Sequence, residues 1–146
     1  MIRNLSYLVG VVALASGYVS DARAEKYPRM VAALGELKEA AKEMKEAKND
    51  FGGHKEKALE ATDRAITQME KAFKAADIDF AWTAPAKDVY KDYKNYPHIR
   101  HALVSLRTAH KEMKEAAIDF GGHKEKAIEA VDHAIDQLEK ALEAVK

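Results

Sequence analysis

The 146-residue chain contains no cysteine. Disulfides, thiolate metal sites and covalent c-type haem attachment are therefore excluded. An excess of charge of either sign is also missing, with 24 Lys and Arg against 24 Asp and Glu. So balanced a surface lacks the concentrated basic face that nucleic acid or an anionic membrane requires. Proline and glycine are sparse, at 3 and 7 residues, which leaves long stretches free to be helical. Enzyme signatures are absent as well: no Gly-x-Ser-x-Gly turn, no His-Glu-x-x-His, no glycine-rich phosphate loop, and no Glu three residues before any His. Catalysis has no visible seat, and the chain reads as non-enzymatic.

One apolar run stands out. Leu5 to Ala15 follows Arg3 and precedes Ala22-Arg23-Ala24. A basic start, a short apolar stretch and a small-x-small site predict a secretory signal peptide over 1–24, with cleavage near Ala24. An N-terminal membrane anchor is the alternative, although the run is short for a bilayer span. The mature chain, 25–146, is then a single domain that is periplasmic or secreted, with no membrane insertion. Without Arg3, Asp21 and Arg23 it carries 22 basic and 23 acidic residues, a net charge of −1 before His.

The mature part is mostly one segment written twice. Residues 27–77 and 96–146 align without a gap at an offset of 69, with 31 of 51 positions identical. Such a repeat implies duplication of one structural unit. In each copy a Pro, Pro28 or Pro97, suits a first helical turn, and Gly-Gly separates two apolar-periodic stretches. The steps of four and three in Ile99, Leu103, Leu106, His110, Met113, Ala117 and Phe120 define one inward face. Met30, Leu34, Leu37, Ala41, Met44, Lys48 and Phe51 repeat it. Helices are predicted over about 28–51, 54–77, 97–120 and 123–146. Together they predict an all-α fold, a four-helix bundle of two duplicated helical hairpins. The Lys- and Glu-rich remainder reads as a solvated face.

Residues 78–95 lie outside the repeat and are too aromatic, with Phe80, Trp82, Tyr90 and Tyr93, for a flexible tether. The segment is expected to pack on the bundle, with a short helix after Pro85. The preference for simple connections favours an up-down-up-down order, which puts both Gly-Gly-His turns at one end. A linker crossing the length of the bundle would put them at opposite ends.

Six histidines are the candidates for chemistry. His54 and His123 are shared by the repeats and open helices, each four residues after an Asp, Asp50 or Asp119. A structural role, with the Asp reaching free N–H groups of the turn, competes with a paired site. His98, His101, His110 and His133 belong to the second copy alone, where the first has Arg29, Ala32, Ala41 and Arg64. His110 falls on the apolar seam. It either finds a polar partner at the edge or faces the interior as a ligand for haem b or metal, with Met44, Met69 or Met113 as thioether partners. His98 and His101, three apart, can chelate Cu²⁺, Ni²⁺ or Zn²⁺. Glu129 and His133 form a weaker pair.

The run from Tyr96-Pro97-His98-Ile99 through Asp119-Phe120-Gly121-Gly122-His123-Lys124 to Ile135 resembles small exported bacterial helical proteins of unassigned function. It bears a looser likeness to periplasmic His-containing metal-binding helical proteins, though with far fewer histidines. The resemblance implies an exported helical hairpin and no particular activity. The leading expectation is binding of Cu, Ni or Zn through His98, His101, His110, His54 and His123. The alternatives are a structural or interaction module for another periplasmic protein, and binding of haem b in the bundle core.

Overall fold

The structure, a computed structural model, describes residues 17–20, 27–83 and 95–146. Strand β1 (Gly17–Ser20) is followed by α1 (Pro28–Glu46), α2 (His54–Ala75), β2 (Phe80–Thr83), α3 (Pro97–Glu115) and α4 (His123–Glu143). The four helices form the all-α bundle that the repeat implies. β1 and β2 pair antiparallel, with Gly17 opposite Thr83 and Ser20 opposite Phe80. No sequence pattern predicts this ribbon: β1 falls within the expected leader and β2 within the linker. The predicted helix after Pro85, and Tyr90 and Tyr93, lie outside the described residues.

The helices begin where proline and Gly-Gly mark them, but α1 and α3 stop five residues sooner than their periodicity suggests. Ala47 and Ala116 turn to extended backbone, at ψ 126° and 130°. The freed carbonyls are taken by the next helix: Lys55 Nζ donates to Ala47 O at 2.8 Å, and Lys124 Nζ to Ala116 O at 2.7 Å. Asp50 Oδ2 accepts from Gly53 N at 2.8 Å, and Asp119 Oδ2 from Gly122 N at 2.5 Å. Each Asp thus binds an N–H group of the turn, a local alternative to continuing the helix. α2 closes differently. Asp77, at φ 54°, takes the left-handed position while Ile78 N donates back to Phe73 O at 2.9 Å.

The helix order corrects the expected up-down-up-down arrangement. α1 packs most closely on α3, and α2 on α4, rather than each on its hairpin partner. Arg29, at the start of α1, pairs with Glu112 near the end of α3, and His98, at the start of α3, meets Glu43 near the end of α1. These two helices are therefore antiparallel, and so are α2 and α4, tied by His54 to Gln137 and His123 to Gln68. The order is up-down-down-up. The segment from α2 to α3 joins opposite ends of the bundle, and the two Gly-Gly-His turns lie at opposite ends.

The cause lies in alanine. Each helix carries alanines seven residues apart: Ala33, Ala40 and Ala47; Ala58, Ala65 and Ala72; Ala102, Ala109 and Ala116; Ala127, Ala134 and Ala141. All twelve are buried. Small side chains in a stripe let two helix backbones approach closely, and interaxial distance follows side-chain size. The register set by the polar pairs brings Ala33 about level with Ala109, and Ala58 with Ala134. Met30, Leu34, Leu37, Met44, Met69, Ile99, Leu106, Met113 and Leu138 fill the space beside these stripes.

The repeat also becomes a pseudo-two-fold axis. Adding 69 to one residue of a contact and subtracting 69 from the other gives a second contact. Tyr27 meets Phe120 edge-on at 5.2 Å, and Phe51 meets Tyr96 at 5.1 Å. His54 Nδ1 lies 2.9 Å from Gln137 Oε1, and His123 Nδ1 lies 2.9 Å from Gln68 Oε1.

Candidate metal centre

Four glutamates of α1, at steps of three, four and three, share one face: Glu36, Glu39, Glu43 and Glu46. The first turns of α3 offer His98, His101 and Ser105 at steps of three and four. Because the two helices are antiparallel, these rows meet in order. His98 Nδ1 lies 2.6 Å from Glu43 Oε2 and 3.8 Å from Glu46 Oε2. His101 Nε2 lies 3.6 Å from Glu39 Oε1, and Ser105 faces Glu36.

Two ligand groups result, each with atoms within 4.8 Å of one another: Glu39, Glu43 and His101, and Glu43, Glu46 and His98. Donors around a tetrahedral ion at about 2.0–2.2 Å are roughly 3.3 Å apart. The 3.6 Å and 3.8 Å separations are near that spacing. The shorter His98–Glu43 contact is a hydrogen bond whose proton an ion would replace.

Burial makes the cluster unusual. The Glu43 side chain is 0% exposed and that of Glu39 only 6%. Carboxylates removed from water need charge-compensating partners. Lys42 Nζ stands 3.8 Å from both Glu39 Oε1 and Glu43 Oε1 and 4.0 Å from Glu46 Oε1, too far for hydrogen bonds but close enough to offset their charge. Glu39 Oε2 is buried with no hydrogen-bond partner among the described residues. Burial pushes the Glu36 carboxyl above the ordinary carboxylate range, against the opposing effects of Ser105 and His101. The imidazole of His101 is shifted upwards, chiefly by the facing Glu39 carboxylate, while burial works the other way.

The other half of the molecule supplies an internal control. The positions equivalent to His98, His101 and Glu39 are Arg29, Ala32 and Thr108, while Glu43 and Glu46 become Glu112 and Glu115. There Arg29 Nη1 reaches Glu112 Oε2 at 3.1 Å and also pairs with Glu115. That end of the α1/α3 pair is closed by an ordinary guanidinium–carboxylate bridge. The fold therefore does not require the His and Glu cluster at the opposite end.

Of the histidines named from sequence, the structure brings His98 and His101 together. His54 and His123 lie at opposite ends of the bundle, each bound to a glutamine of the other hairpin, and form no common site. His110 corrects the interior reading. It leaves the seam to Ala109, is 29% exposed, and pairs with Asp132 of α4, with Nε2 at 3.0 Å from Oδ1. The position therefore gives no axial ligand to a haem in the core. Met44, Met69 and Met113 are core side chains with no exposure. His133 is exposed.

The carboxylates were not singled out in the sequence, because Glu on a Lys- and Glu-rich helix reads as solvated surface. A signal was present: Glu36, Glu39 and the His98/His101 pair all fall where the repeats differ. Nor does the missing Glu-x-x-His pattern bear on this cluster, whose acids come from α1 and imidazoles from α3. Comparison with known proteins finds no match: no family model, no curated protein and no solved structure is similar to this chain.

Proposed function

We propose that this protein binds a divalent transition-metal ion between α1 and the start of α3. The ligands are His98 and His101 with Glu39 and Glu43, and Glu46 stands at the rim. The observation that carries this reading is a part-buried imidazole–carboxylate cluster at one end of the α1/α3 pair, replaced by a simple salt bridge at the other. Two imidazoles with several carboxylates suit borderline to hard ions. Zn²⁺ and Ni²⁺ fit this donor set, and Mn²⁺ and Fe²⁺ join them because of the carboxylates. Cu²⁺ would rely on the imidazoles. The site has the character of a binding site, and export after cleavage near Ala24 would place it in the periplasm or outside the cell.

Calorimetric titration of the purified protein with Zn²⁺ tests the reading. Binding should be tighter than about 100 µM, a free energy of roughly −5.5 kcal/mol. It should be lost in a His98→Ala/His101→Ala variant and kept in His54→Ala/His123→Ala. Equal binding by all three proteins would refute the assignment. N-terminal sequencing of the exported protein should begin at Glu25, and an intact N-terminus would overturn the proposed cleavage.

A further inference from the structure

We infer that the centre holds two divalent ions bridged by the Glu43 carboxylate. The inference rests on the metal-binding reading above and adds its nuclearity. The two ligand groups share one residue, Glu43, and each has its own imidazole and its own second carboxylate: His101 with Glu39, and His98 with Glu46. The two oxygens of Glu43 have different neighbours. Oε2 contacts His98 at 2.6 Å, while Oε1 lies on the side of Lys42, whose Nζ is 3.8 Å from it and 3.8 Å from Glu39 Oε1. A carboxylate held this way, with no solvent exposure, is disposed to bind one ion through each oxygen.

Spacing along the helices agrees. His98 and His101 are three residues apart, about 4.5 Å of axial rise at 1.5 Å per residue. Ions in a carboxylate-bridged pair stand about 3.5–4 Å apart. Each imidazole is thus level with a different ion, and Glu39 and Glu46 flank Glu43 by one turn on either side.

Charge accommodates the second ion. Glu39, Glu43 and Glu46 carry three formal negative charges. One divalent ion balances them with the Lys42 ammonium kept in place, whereas a second ion displaces that ammonium, whose partial exposure lets it swing to solvent. Glu39 Oε2, buried without a hydrogen-bond partner among the described residues, is an oxygen that an ion in the His101 group would satisfy.

Native mass spectrometry of the full chain loaded with Zn²⁺ counts the ions directly. Two per chain are expected. Glu46→Gln and His98→Ala should each reduce the count to one by emptying the outer position. Glu43→Gln should bring it below one, and circular dichroism of each variant checks that the helices are kept. Glu46 lies at the exposed rim, so its variant tests the count even if a change at Glu43 disturbs folding. Protein loaded with Mn²⁺ should give the broad paramagnetic resonance spectrum of exchange-coupled ions. One ion per wild-type chain would overturn the two-ion inference and leave the binding proposal standing. Two ions with the six-line spectrum of isolated Mn²⁺ would overturn the bridge. No bound ion would overturn both proposals.

Discussion

Lys42 is the side chain on which the charge balance of the metal-free cluster turns. Among the described residues its ammonium is the one Lys group within 4.0 Å of Glu39, Glu43 and Glu46. A cation in that position stabilises the ion-free state and competes with metal. Lys42→Met should therefore lower the melting temperature of the metal-free protein and raise its affinity for Zn²⁺ about tenfold, roughly 1.4 kcal/mol. Calorimetry beside thermal melts with and without Zn²⁺ reads both effects. Loss of affinity would mean that Lys42 positions the ligands rather than opposing the ion. Packing distinguishes equivalent residues in the same way. Leu138 is fully buried and Leu138→Ala should cost about 2–5 kcal/mol in urea melts. Phe51 is 8% exposed, whereas its repeat mate Phe120 is only half-buried. Both lose an edge contact with a tyrosine, but Phe120 gives up less buried area, so Phe51→Ala should cost more than Phe120→Ala in urea melts. Sequence identity between the two phenylalanines gives no hint of that difference.

Among the elements, the Phe-Gly-Gly turns show where local sequence is decisive. Phe51, Gly52 and Gly53 all have positive φ, at 55°, 64° and 84°, and Phe120, Gly121 and Gly122 repeat this at 55°, 66° and 83°. Three left-handed residues in a row reverse the chain, and glycine at two of them avoids the cost of a Cβ there. At Gly121 an added Cβ would meet nothing within 4 Å, so any cost of substitution is a backbone cost. Gly121→Val should destabilise by about 1–2 kcal/mol, and Gly121→Asn by clearly less because Asn tolerates this conformation. Equal losses in denaturant melts would show that crowding, not φ, controls the turn. Helix starts were legible because proline and Gly-Gly mark them chemically. The ends of α1 and α3 were not, since apolar spacing continues to Phe51 and Phe120 after the helix has stopped. The alanine stripes were visible as letters but not as signals, because a scan for large apolar residues treats alanine as neutral.

For the molecule as a whole, duplication with an antiparallel pairing makes one half a template for the other. Glu36 and Ser105 are each other's repeat mates and face each other, so the pseudo-two-fold axis passes between them. The centre can therefore be transplanted. Arg29→His, Ala32→His and Thr108→Glu in one protein place two imidazoles and an acid beside Glu112 and Glu115. The number of Zn²⁺ ions bound per chain should rise above that of the parent, as counted by native mass spectrometry. An unchanged count would show that the two ends are not equivalent in depth or packing. In an up-down-up-down bundle the same substitutions would put Arg29 and Glu112 at opposite ends and assemble nothing.

The sequence by itself determined the hairpin: where helices begin, which residues turn the chain, that the unit occurs twice, and that histidines distinguish the copies. Those properties are local, or depend on spacing along one helix. The tertiary structure alone decided which helices lie side by side and in which direction. Periodicity says that a helix has an inward face but not which neighbour that face will meet. The antiparallel pairing of α1 with α3 brought Glu39 and Glu43 to His98 and His101 across more than 50 residues of chain. The same pairing carried His54 away from His123, while His110 meets Asp132 within its own hairpin.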